Sequence, residues 1–152
     1  MSDAIRSKFP TAARILLGLI FFVFGLNGFL QFIPQPPLPE PAGAFMGALA
    51  AAGYMFPLIK GTEIVAGLLL LSGRFVPLAL VLLAPVIVNI ALFHVVLAPA
   101  NMIMVVALLV LETYLAWSYR DAFRGVLAAN AQPTAATPQS GGVLQQATAG
   151  AR

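Results

Sequence analysis

Phe75 to Ala98 is a run of 24 residues without an Asp, Glu, Lys or Arg, and this run narrows the choice of fold more than any other feature. As a helix it rises about 36 Å, enough to cross the ~30 Å hydrocarbon core of a bilayer. A helix apolar on every side belongs in a membrane or in the centre of a large protein. The chain has 152 residues, room for one domain, so the membrane is the consistent solvent. Composition agrees: 61% of residues are hydrophobic and 9% charged, with mean hydropathy +0.96. A soluble domain carries about 25% charged residues.

Three further apolar runs complete the pattern. Span one covers about Ala12 to Ile33, span two Phe56 to Leu71, span three Phe75 to Ala98 and span four Met102 to Tyr119. Pro85 is expected to kink span three, and Pro99-Ala-Asn101 makes the turn before span four. Trp117 and Tyr119 close span four where aromatic residues anchor at headgroups. Between spans one and two, Pro34 to Pro41 holds five prolines in eight positions and reads as a rigid extended loop. Ala42 to Ala52 follows as a short interfacial helix of small residues. A basic start before an apolar run also has the form of a signal peptide. Its candidate cleavage site, Ala42-Gly43-Ala44, lies far beyond the apolar core, and more spans follow, so the first run is read as a span. Residues 120–129 continue as a short helix at the interface, and 126–152, above all Gln132 to Arg152, has the composition of a disordered tail.

The basic residues set orientation. Arg6, Lys8 and Arg14 precede or open span one, Arg74 separates spans two and three, and Arg120 and Arg124 follow span four. The other two connections hold no Lys or Arg. The expected fold is therefore all-α: a four-helix transmembrane bundle in residues 1–125 with both termini cytoplasmic.

Polar residues within the runs carry the functional expectation, because ionisable groups at membrane depth are expensive. At ~1.5 Å per residue, Asn27 and Gln31, Lys60 and Glu63, and Asn89 and His94 all fall in the outer half of the bilayer, on three helices. Glu112 lies deeper, roughly 15 Å from the outer end of span four, too deep to stay charged without a partner. The layer predicts a polar pocket opening to the non-cytoplasmic side. Lys60 and Glu63 pair one turn apart, Gly67 continues their face, and His94 is suited to proton transfer near neutral pH. The plainer reading is that Asn27, Gln31 and Asn89 bond to neighbouring helices, Lys60 snorkels to headgroups and His94 sits at the interface. Gly18, Gly25, Gly28, Gly43 and Gly47 read as packing surfaces.

Several chemistries are absent from the residues. There is no cysteine for disulfides, thiol redox, iron–sulfur clusters or Cys-based zinc sites. One histidine does not supply bis-histidine haem ligation, and the carboxylates show no metal-ligand spacing. No glycine-rich phosphate loop follows a strand, and the net charge of +3 forms no basic patch interleaved with aromatics, so nucleotide and nucleic acid find no support. An enzyme acting alone is not expected.

Arg14-Ile-Leu-Leu-Gly-Leu-Ile-Phe-Phe-Val-Phe-Gly-Leu-Asn-Gly-Phe29 resembles the opening helix of DoxX-type membrane proteins. Glu63 to Arg74 is similar to their second helix, and Asn89 to Pro99 to the third helix of a DoxX-like branch, within a likeness spanning about Ala12 to Tyr119. Many relatives carry a lysine near the end of the first helix, where Asn27 and Gln31 stand here. The resemblance implies a bacterial inner-membrane four-helix bundle acting as accessory subunit of a redox or quinone-linked membrane complex. A quinone is the implied ligand, a membrane or redox protein the implied partner. Two alternatives stand beside it: an assembly module without ligand, and a small transporter formed by a homo-oligomer.

Overall fold

A computed structural model describes residues 3–34, 36–99 and 102–130. Its described residues hold five α-helices and no strand: α1 (Asp3–Leu30), α2 (Glu40–Ala51), α3 (Met55–Ser72), α4 (Val76–Val96) and α5 (Met102–Ser118), followed by a 3₁₀ turn at Arg120–Phe123. α1, α3 and α4 are long and apolar enough to cross a membrane; α5, at 17 residues, is a shorter apolar helix. Of the tail expected at 126–152, residues 131–152 lie outside the described residues, as does the turn residue Asn101.

α1 starts before its apolar run, because nothing in Asp3 to Lys8 opposes a helix and Pro10 removes only one backbone bond. It stops at Leu30, three residues short of the expected end. Gln31 turns into the left-handed region (φ 51°), and Asn27 Oδ1 accepts a hydrogen bond from the Ile33 N–H at 2.6 Å. That bond draws the chain across the helix end. α2 begins within the proline-rich segment, at Glu40, since the first turn of a helix tolerates Pro41. At 12 residues α2 rises about 18 Å, too little to span. Beyond α5 the helix continues only as the 3₁₀ turn, not as the helix expected over residues 120–129.

α1 and α3 run antiparallel in close register. Gly18 lies against Leu70, Gly25 against Ile64 and Gly28 against Lys60. A Cβ at Gly67 would lie 2.7 Å from the Phe22 backbone nitrogen, so hydrogen at this position lets the two backbones meet. α3 packs on α4, α4 on α5, and α5 back on α1, closing a ring of four helices, with α2 resting on α3. The core is Leu17 and Phe21 of α1, Ala66 and Leu70 of α3, Leu80, Leu83 and Ile87 of α4, and Leu108 and Leu115 of α5.

The outside is as apolar as the inside. Ile103 is 87% exposed, and Leu16, Leu68, Val88 and Val110 also face outward. Water would not tolerate apolar faces on every long helix, whereas lipid requires them. The chain is an integral membrane protein.

Candidate functional site

α3 places Lys60 and Glu63 one turn apart, and their side chains close on each other. Lys60 Nζ donates to both Glu63 carboxylate oxygens, at 3.0 and 2.8 Å. Glu63 is 3% exposed, whereas the Lys60 side chain keeps 19% of its surface open and its Nζ lies 5.9 Å from the Phe56 ring centroid. α1 makes the space. A Cβ at Gly28 would sit 2.5 Å from Lys60 Cγ, and one at Gly25 would sit 3.2 Å from Glu63 Cβ. The pair therefore rests in a notch that glycines leave in the neighbouring helix. With two of its three N–H groups committed to Glu63, Lys60 retains one donor for a third group.

The rest of the expected layer bonds locally or faces outward. Asn27, 5% exposed, holds the end of α1 through Ile33. Gln31 follows the helix and is exposed, so the face it was expected to share with Asn27 does not form: the positive φ takes it off the helical spiral. Asn89 faces outward on α4. His94 Nδ1 lies 2.8 Å from the Ile90 carbonyl and donates to it, with Nε2 outside that bond. Its ring meets Phe93 edge-on at 5.3 Å, and Phe93 in turn meets Phe45 of α2 at 5.9 Å. No hydrogen bond among the described residues joins Asn27, Gln31, Asn89 or His94 to the Lys60–Glu63 pair. No group of three or more metal-ligating side chains occurs among those residues either.

Glu112 stands apart. It lines a groove of about 410 Å³ between α4 and α5, walled by Leu80, Val81 and Ala84 on one side and Thr113, Ala116 and Trp117 on the other. Arg120 and Phe123 lie at its end. Glu112 Oε2 is buried without a hydrogen-bond partner among the described residues.

Arg14 has a role that sequence reading gave only to charge. Its Nη1 donates to the Leu70 carbonyl and, at 3.3 Å, to that of Leu71, capping the end of α3. Gly73 (φ 71°) leaves room, since a Cβ there would lie 2.7 Å from Arg14 Nη1. The signal was available: a helix ending at Ser72 leaves carbonyls unmet, and a basic residue at the same end of an antiparallel neighbour is the natural donor.

Compared with protein-family models, the chain matches DoxX over residues 9–98. That stretch contains the Lys60–Glu63 pair and its glycine notch, and ends before α5. No curated protein and no solved structure matches.

Proposed function

The chain belongs to the DoxX family, and from that premise we propose that it is an accessory subunit of a redox or quinone-linked complex in a bacterial inner membrane. All four of α1, α3, α4 and α5 cross the bilayer, with both termini in the cytoplasm. Basic residues support that orientation. Lys8 and Arg14 lie toward the start of α1, Arg74 between α3 and α4, and Arg120 and Arg124 after α5, all at one end of the ring.

The ligand end is the opposite one. The observation that carries this reading is the Lys60–Glu63 pair, buried on its acidic side and open on its basic side beside Phe56. A lysine held by one carboxylate, with a donor to spare and an aromatic neighbour, suits the carbonyl oxygen and flat ring of a quinone head. His94 Nε2, outside the bond to Ile90, marks the same end of the ring.

Mass spectrometry of protein purified gently from its native membrane tests the proposal. The expected result is stoichiometric quinone together with co-purifying subunits, the quinone being lost on Glu63→Gln. Protein carrying only bulk lipid and no partner would end it.

A further inference from the structure

Glu112 has no role in the pocket just described, and its surroundings point to a separate one. A carboxyl oxygen buried at membrane depth without a donor is a standing cost, so a group from outside the chain is the expected partner. The groove that contains it is open on its lipid side and largely apolar, with Thr113 in its wall, Arg120 at its end, and Ala84 and Ala116 as small wall residues. A groove between two helices is the relief into which another helix packs. Small residues along such a line let backbones approach.

We propose that the α4–α5 groove takes a transmembrane helix of a partner protein, which presents a Lys or Arg side chain to Glu112. The proposal rests on the reading that α5 crosses the bilayer and that the chain is a subunit. A lipid acyl chain would fill the furrow but brings no donor to that depth. Among the described residues, a second copy in the same orientation brings no basic side chain to that depth either: Lys8, at the start of α1, and Arg74, between α3 and α4, lie at the end of the ring. Arg14 is held by the Leu70 and Leu71 carbonyls, and Lys60 and His94 lie at the opposite end of the ring. Arg120 donates to the Trp117 carbonyl and lies over the Trp117 ring, and Arg124 pairs with Asp121. Charge complementarity therefore asks for a cation from a different protein.

The chain has no cysteine, so single cysteines report without background. Ala116→Cys and Ala84→Cys, each in the full chain in native membranes, are crosslinked to neighbours and compared with Leu16→Cys on the outward face of α1. The expected product from positions 84 and 116 is a single heterologous protein, joined through an apolar segment that contains Lys or Arg. Glu112→Leu should lower its yield roughly tenfold. Glu112→Lys should abolish it, and exchanging the partner's basic residue for Glu should restore it. A melting curve in mild detergent that matches wild type would separate lost docking from lost folding. A product that is a second copy of this chain, a lipid or quinone, or a segment without Lys or Arg would overturn the proposal. Partner crosslinks from Leu16→Cys alone would overturn this face and leave the subunit reading intact. Absence of protein crosslinks from all three positions would end both.

Discussion

Glu63 lies on α3, inside the stretch that matches the family, with Lys60 across its carboxylate and two glycines of α1 behind it. Glu112 lies on α5, beyond that stretch, with an oxygen buried and unmatched in an open apolar groove. Both carboxyls face the same physical problem, the loss of water around a polar group. The first is answered by the chain itself. The second finds no partner among the described residues. The difference teaches that a costly residue in a membrane helix is best classified by where its partner comes from. An internal partner marks the fold; a missing one marks a contact.

The largest effect should come from opening the internal pair on one side only. Lys60→Met leaves Glu63 buried without its cation and should lower stability by about 3–5 kcal/mol. Replacing both residues, Lys60→Met with Glu63→Leu, should recover most of that loss, because an apolar pair of similar volume carries no unmet charge. Thermal unfolding in mild detergent reads both. Gly67→Ala comes next. Its Cβ would meet the Phe22 backbone, which cannot swing aside, so a loss of about 1–3 kcal/mol is expected in the same assay. Gly28→Ala meets only the carbons of the Lys60 side chain, which can move. About 1 kcal/mol should be lost, together with quinone retention if the notch positions Lys60 for its ligand. Gly47→Ala on α2 has nothing within reach, and the gain in helix propensity should leave stability unchanged or raise it by up to about 1 kcal/mol. An equal loss at Gly47 and Gly67 would break the distinction between the packed and the unpacked glycines.

Much of this architecture was legible in the sequence, because the bilayer reduces folding to questions of length and charge. Spans two to four were placed within about two residues of α3, α4 and α5, since glycine, proline and basic residues punctuate them. The Lys60–Glu63 pair followed from helical spacing alone. The end of α1 did not, because Asn27 reaches over the helix end to Ile33, and a bond between residues six apart leaves no periodic trace. The same bond explains why Asn27 and Gln31 part company. The role of Arg14 needed the antiparallel register of α1 and α3, which is a property of the packed pair and not of either helix. Glu112 stood out as deep and ionisable, but the groove around it arises from α4 and α5 together, and Leu80, Ala84 and Ala116 carry no sequence signal of a shared wall.

The measurement that bears most directly on this account is a paired one: thermal unfolding, in mild detergent, of the isolated protein carrying Glu63→Leu or Glu112→Leu. If Glu63 belongs to the fold and Glu112 to a partner, the first variant melts several degrees below wild type. The second melts at or above wild type, since it removes a buried group that none of the described residues satisfies. A Glu112→Leu protein as destabilised as Glu63→Leu would contradict the account, for it would mean that the chain satisfies Glu112 by itself.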